Sequence, residues 1–158
     1  MQSCLDSRLQ IFFPDLFSYA VIPADDIGSF NMLQYFDCAT KYIHSLHKTG
    51  AERILIHCSV GRSRSVAIVL AYLIRYHGHT LNSAFLHVWS RRQVADPNVG
   101  FLSQLEIWEM TFRGRKSTLR RLPHWKKMPF RRQYPNPEIE KAAKAYGVGK
   151  RFPRCAMM

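Results

Sequence analysis

The stretch from residue 53 to residue 74 constrains the fold more than any other part of the chain. It begins with RILIH, an apolar run without alternation, which predicts a central strand over Arg53–His57 that is covered on both faces. A turn of mostly small residues follows over Cys58–Ser63. Val66–Ile74 is then apolar on every side, which is typical of a helix buried inside a domain. The sequence therefore predicts a strand, a tight turn and a buried helix in immediate succession.

The rest of the first 112 residues alternates between strand-like and helix-like patterns. The expected elements are a strand over 17–23, a loop over 24–29, a helix over 31–48, a helix from Thr80 to about 92, and a helix over 101–112. Strands interleaved with helices indicate an α/β domain built on a mostly parallel sheet. We place this domain at residues 1–112.

The last 46 residues form a separate basic segment, because the net charge of +12 belongs entirely to residues 113–158. We predict a partly disordered tail with one short helix near 137–146. Its expected partners are solvent alone or an acidic surface such as anionic lipid. Trp125, Phe130 and Tyr134 fit no RNA-binding motif, so nucleic acid is not the favoured partner. Cys155 begins a C-a-a-X box of the farnesyl type, which makes lipidation an alternative means of membrane attachment.

Cysteine usage indicates an intracellular protein. Four scattered cysteines are too few for a disulfide framework, and no CxxC pair suggests zinc. The first residues do not resemble a secretory signal, and the longest apolar run, nine residues, is too short to span a bilayer. We expect a cytoplasmic location, with the nucleus or a membrane surface as alternatives, and neither a metal nor a cofactor.

The chemistry is concentrated in the turn between the central strand and the buried helix. Backbone N–H groups of such a turn can curl inward as an anion nest at a helix N-terminus. Cys58 lies at the bottom of this nest, where the N–H dipoles and Arg64 favour its thiolate. Arg64 offers a planar fork for two phosphoryl oxygens, and Gly61 permits the tight turn. The arrangement suits attack by a thiolate on phosphorus.

A lone cysteine after a strand is more often an inert core thiol. Here five residues suited to binding and attacking a phosphoryl group occur together, at the required spacing, in one strand–turn–helix unit: His57, Cys58, Gly61, Arg64 and Ser65. A chance match in a chain of this length is rarer than about one in a thousand. The catalytic interpretation is therefore favoured.

The stretch HCSVGRSRS matches HCxxGxxRS, the signature of the cysteine-based protein tyrosine phosphatase superfamily. Together with ADDIGSFNMLQYF, VAIVLAYLI and DPNVGFLSQL, it resembles an atypical dual-specificity phosphatase over about residues 17–112. The resemblance implies a protein tyrosine phosphatase-like fold and hydrolysis of phosphotyrosine, phosphoserine and phosphothreonine through a cysteinyl-phosphate. It also implies phosphoprotein partners.

The resemblance assigns roles to further residues. It makes Asp26 the general acid, with Asp25 as the alternative, although both could instead cap the turn before the helix. It makes Ser65 a hydrogen-bond donor to the cysteine sulfur and Asn98 a brace for the loops. The phosphate-binding residues it implies are Ser59, Val60, Gly61, Arg62, Ser63 and Arg64.

Two side chains near the nucleophile have open roles. His57 precedes Cys58, and we expect it to tune the thiol through backbone hydrogen bonds rather than to transfer a proton. Arg62 points outward from the turn, and either contacts a second phosphate or an acidic flank of the substrate, or is simply solvated.

The sequence departs from the family in its N-terminal part, because only about 25 residues precede Asp26. We expect either a shortened domain or a variant in which Cys4–Phe13 replaces the missing sheet edge. Two alternative functions stay open. The shortened N-terminal part suggests a catalytically weak phospho-binding scaffold, and the basic tail suggests a phosphatase acting on phosphoinositides or RNA 5′-phosphates.

Overall fold

The computed structural model describes residues 2–4, 13, 15–51 and 53–114, with residues 2–4 as backbone. The tail, its expected helix at 137–146 and Cys155 lie outside the described residues. The elements in chain order are β1 (Gln2–Cys4), β2 (Ala20–Ile22), α1 (Leu33–Lys48), β3 (Ile56–His57), α2 (Arg64–His77), α3 (Leu81–Trp89) and α4 (Val99–Arg113).

The described strands form a parallel sheet in the order β2-β1-β3. Ser3 in β1 pairs with Val21 on one side and with His57 on the other. Among the described residues β3 is paired with β1, and Leu55 just before it is 51% exposed, so the full coverage predicted for the strand over 53–57 is not seen in this part of the sheet. Cys4 is the last residue of β1, which lies between the other two described strands, whereas residues 5–12 of the segment expected to replace the missing edge lie outside the described residues.

Helix α2 lies at the centre of the fold and packs against all three other helices and the sheet. Its apolar sequence explains this position, since Ala67, Ile68, Leu70 and Ala71 are all fully buried. Trp108 of α4 fixes one contact by donating its indole N–H to the Ala71 carbonyl oxygen at 3.0 Å. The predicted buried helix is confirmed.

The ends of the helices follow local capping chemistry. Thr80 accepts a hydrogen bond from the Ser83 N–H, so α3 begins at the predicted place, but α3 ends at Trp89 rather than near 92. Helix α4 begins two residues before the predicted Phe101, because Asn98 caps it. Helix α2 ends at His77 and is capped by Gly78, whose φ of 66° is left-handed.

Within the described residues, no helix is both long enough and apolar enough to cross a membrane.

Candidate active site

The turn between β3 and α2 surrounds the Cys58 sulfur with hydrogen-bond donors. Cys58 is buried immediately after β3, and the Gly61 N–H donates to its Sγ at 3.2 Å. The Ser65 hydroxyl lies 3.3 Å from the same sulfur. Gly61 has a φ of 67°, which a residue with a side chain adopts only with strain. The turn thus curls back over Cys58 as the anion-nest geometry requires.

These donors control the protonation state of Cys58. Burial alone raises the pKa of the thiol, because it disfavours the charged form. The Ser65 hydroxyl and the backbone N–H groups of Ser65, Gly61 and Arg62 hydrogen-bond the sulfur and outweigh burial, so the pKa falls to about 7. A large fraction of Cys58 is therefore thiolate near neutral pH, as the sequence predicts.

Arg64 stands at the first position of α2 and is tied to the site from two sides. Its two terminal nitrogens donate to the Ala24 carbonyl oxygen and the Ser59 hydroxyl, each at 3.0 Å. A guanidinium carries five N–H groups, so further hydrogens remain for a bound phosphoryl group. The side chain is 12% exposed, which confines the guanidinium to one place beside the turn.

Asp26 is held over the turn by three groups. Its Oδ1 accepts hydrogen bonds from the Ser63 hydroxyl at 2.6 Å and from the Asn98 side-chain amide at 2.8 Å. Its Oδ2 lies 3.9 Å from the Arg64 Nε. Asp25, the alternative acid, makes none of these three contacts, although both carboxylates are exposed. The geometry favours Asp26, because it is the carboxylate fixed beside the nucleophile's turn.

Asn98 joins the acid loop, the turn and α4. Besides its bond to Asp26, its backbone N–H donates to the Ser63 hydroxyl at 3.1 Å. Its side-chain oxygen accepts from the Phe101 N–H at 2.9 Å and so caps α4. This is the bracing position that the resemblance implies for Asn98.

The outer side of the turn makes contacts that the sequence did not reveal. Arg62 forms an ion pair with Asp96, and the Asp96 N–H donates to the Arg62 carbonyl oxygen at 2.9 Å. This carboxylate partner was not among the expected roles of Arg62. Arg92 donates to the Gly61 carbonyl oxygen at 2.8 Å and to that of Val60 at 3.1 Å. No local pattern marks Arg92, because its partners lie about 30 residues earlier.

The acid loop is fixed against α4 by two further residues absent from the sequence-based site. The Gln104 side chain donates to the Phe30 carbonyl oxygen at 2.8 Å and accepts from the Leu33 N–H at 2.7 Å. Gly100 approaches Gly28 so closely that an added Cβ would lie 1.9 Å from the Gly28 oxygen. The loop carrying Asp26 therefore rests on the first turns of α4.

The remaining predicted site residues line the same region. Ser59 and Val60 are exposed at the rim, Ser63 is buried, and His57 is half-buried on β3. In the described part of the chain, no group of three or more His, Cys, Asp or Glu residues is arranged to hold a metal ion.

A thiolate nucleophile in an anion nest, with an arginine and a carboxylic acid beside it, defines the class of cysteine-dependent phosphatases. The family model described as "Dual specificity phosphatase, catalytic domain" matches residues 7–111. The chain belongs to this family, and the sequence-based assignment is confirmed.

Similar proteins agree with this assignment. Dual specificity protein phosphatase 1 of Arabidopsis thaliana is 45% identical over 103 residues, which cover 65% of this chain and 52% of that protein. A Slingshot homolog of Xenopus laevis is 38% identical over 62% of this chain and 14% of its own length. The chain thus spans about half the length of the Arabidopsis relative and a small part of the other.

Solved structures confirm the predicted fold class. A mouse putative dual specificity phosphatase complexed with zinc tungstate is 33% identical, with a TM-score of 0.65 and 72% of each chain covered. Human DUSP28 is 30% identical, with a TM-score of 0.64, over 68% of this chain and 72% of its own. The fold is therefore that of the protein tyrosine phosphatase-like α/β domains.

Proposed function

We propose that this chain hydrolyses phosphotyrosine and phosphoserine or phosphothreonine in proteins through a cysteinyl-phosphate intermediate. The observation that carries the proposal is the hydrogen bond from Ser63 to Asp26, which holds a carboxylic acid over the turn that contains the Cys58 thiolate. A nucleophile and an acid on opposite sides of one phosphoryl group are what an in-line displacement requires.

The first step transfers the phosphoryl group to sulfur. The Cys58 thiolate attacks phosphorus, and the bond from phosphorus to the ester oxygen breaks. Asp26, in its protonated form, gives its proton to the departing oxygen. Backbone N–H groups of the turn and the remaining N–H groups of Arg64 hydrogen-bond the equatorial oxygens, where negative charge is concentrated.

The second step regenerates the thiolate. Water attacks phosphorus and gives a proton to the Asp26 carboxylate, and the bond between sulfur and phosphorus breaks. The Ser65 hydroxyl, 3.3 Å from the sulfur, stabilises the departing thiolate by donating a hydrogen bond. Inorganic phosphate is released, and no step passes through a metal.

The test is phosphate release from matched peptides that carry phosphotyrosine, phosphothreonine or phosphoserine in the same sequence. We expect release from all three, equal rates with and without a chelator, and none from Cys58→Ser. The matched control is Cys38→Ser, since Cys38 is a buried thiol on α1 outside the site. Activity retained by Cys58→Ser, or lost on chelation, would contradict the mechanism.

The same assay separates the alternative functions. A phospho-binding scaffold would bind the peptides without releasing phosphate, although a thiol with a pKa of about 7 is more reactive than binding alone requires. A lipid or RNA phosphatase would prefer phosphoinositide vesicles or 5′-phosphorylated RNA over the peptides. The turn SVGRS contains no lysine, which gives the phosphoinositide alternative less support.

A further inference from the structure

A groove of about 790 Å³ lies beside the phosphate-binding turn and shares residues with it. Val60 and Arg62 of the turn form one wall. Trp89 at the end of α3 and Val94 in the following loop are among the residues that line the rest. Its volume is within the range of about 300–1,000 Å³ typical of small-molecule sites, which leaves ample room for one large side chain.

The surface of the groove is mainly apolar and accessible. Val60 is 71% exposed, Val94 is 54% exposed and Trp89 is 41% exposed, while Phe85 is buried beneath them. Exposed apolar side chains are ordinary when scattered, but a cluster around one concavity is typical of a binding surface.

The charged groups of the groove already have protein partners. Arg62 is paired with Asp96, and Arg92 donates to the carbonyl oxygens of Gly61 and Val60. A polar ligand would have to compete with these contacts, whereas an apolar group would gain burial without breaking any of them.

The groove is continuous with the place where the substrate must lie. Val60 is two residues from Cys58, so their Cα atoms are separated by at most about 7 Å. The rim of the groove at Val60 is therefore close enough to be crossed by a peptide whose phosphoryl group rests over Cys58. A side chain one to three residues away from the phosphorylated residue reaches the groove.

We propose that this groove binds one apolar side chain of the phosphoprotein substrate, next to the phosphorylated residue, and that Trp89 is a specificity-determining residue. The inference rests on the proposed phosphatase function and identifies the kind of substrate sequence that the enzyme prefers. The occupant is a large apolar side chain such as Phe or Leu, which the indole of Trp89 can cover.

The test uses phosphotyrosine peptides in a Gly/Ser host, each with one Phe placed at a position from −3 to +3. Every peptide is compared with the all-Gly/Ser host by kcat/KM. We expect at least one position to raise kcat/KM about tenfold, the size of discrimination that an apolar pocket supplies. Hydrolysis of a small aryl phosphate, which does not extend into the groove, measures the basal activity.

The decisive variant is Trp89→Ala, and its matched control is Leu86→Ala. Leu86 lies on the same helix and is 45% exposed, close to the exposure of Trp89, but does not line the groove. We expect Trp89→Ala to reduce the gain from Phe to less than about twofold while aryl phosphate hydrolysis stays unchanged. Leu86→Ala should keep both the gain in kcat/KM from Phe and the rate of aryl phosphate hydrolysis.

The outcomes separate the two proposals. A wild type that hydrolyses neither aryl phosphate nor peptide overturns the proposed function. A wild type that hydrolyses both but gains nothing from Phe at any position overturns the groove assignment alone. Concentration-dependent dimerisation that Trp89→Ala abolishes would assign the groove to a second copy of the chain and also overturn it.

Discussion

The side-chain amide of Asn98 donates to the Asp26 carboxylate with 2.8 Å between Nδ2 and Oδ1. The oxygen of the same amide accepts the Phe101 N–H at 2.9 Å. One side chain therefore performs two separable tasks. It orients the proposed general acid through its nitrogen, and it caps α4 through its oxygen.

Replacing Asn98 by Ser and by Ala should separate these tasks. Serine keeps an oxygen that can cap α4 but loses the donor to Asp26, so Asn98→Ser should lower kcat with little change in stability. Asn98→Ala loses both and should also lower the free energy of unfolding by about 1 kcal/mol. Steady-state kinetics and urea denaturation measure the two effects. Equal kcat in wild type and Asn98→Ser would show that the bond does not orient the acid.

The two neighbouring acidic residues offer a direct test of the general acid. Asp26→Asn should reduce kcat by about 10²-fold or more, since general acid catalysis contributes about 10²–10⁴-fold. The loss should be largest for alkyl phosphates, whose leaving oxygen most needs a proton, and smallest for an activated aryl phosphate. Asp25→Asn is the control, because Asp25 makes none of the contacts with Ser63, Asn98 and Arg64 that hold Asp26, and it should retain most activity. The reverse pattern would make Asp25 the acid.

Local sequence was sufficient to predict the phosphate-binding turn and its neighbours. Three consecutive features form this unit: the apolar run before Cys58, the small residues after it and the apolar helix that follows. Each is determined by a few neighbouring residues, so its structure depends little on the rest of the fold. Thr80 likewise caps α3 through a partner only three residues away. Such short-range chemistry is encoded in patterns of spacing.

Long-range relationships were not accessible from these patterns. Nothing in Gln2–Cys4 predicts a strand between β2 and β3, because three residues carry no periodicity. An apolar run such as Arg53–His57 shows that a strand forms but not which strands pair with it. Arg92 and Gly100 also act on partners far away in sequence, so their roles became visible only in the folded structure.

The ionisation of Cys58 predicts a pH-dependent reactivity. Only the thiolate is alkylated by iodoacetamide, so the rate at Cys58 should rise with pH and reach half its maximum at about pH 7. Ser65→Ala removes a donor that stabilises the thiolate, so its midpoint should move to higher pH. Ser65→Thr, which keeps the hydroxyl, should have the same pH midpoint as the wild type.

Site-specific mass spectrometry measures this reactivity and supplies an internal control. Cys38 is buried on α1 and donates to the Tyr35 carbonyl oxygen at 3.2 Å, so its alkylation should stay slow throughout. An identical midpoint in wild type and Ser65→Ala would show that the backbone donors alone set the pKa of Cys58.

The close approach of Gly28 and Gly100 predicts that two similar substitutions have very different effects. A Cβ on Gly100 would lie 1.9 Å from the Gly28 oxygen, so Gly100→Ala must push the acid loop away from α4. Overpacking of this kind costs about 1–3 kcal/mol. A Cβ on Gly28 would meet its nearest atom at 3.6 Å, which is ordinary contact, so Gly28→Ala should be tolerated.

Displacing the loop should also move the proposed general acid and lower the catalytic rate, because Asp26 lies two residues before Gly28 in the same loop. We expect Gly100→Ala to lower both the urea midpoint and kcat, while alkylation of Cys58 keeps its midpoint because the turn itself is untouched. Gly28→Ala should leave all three measurements near the wild-type values. If Gly100→Ala were as stable and as active as the wild type, contact with α4 would not hold the acid loop, and the orientation of Asp26 would depend on Ser63 and Asn98 alone.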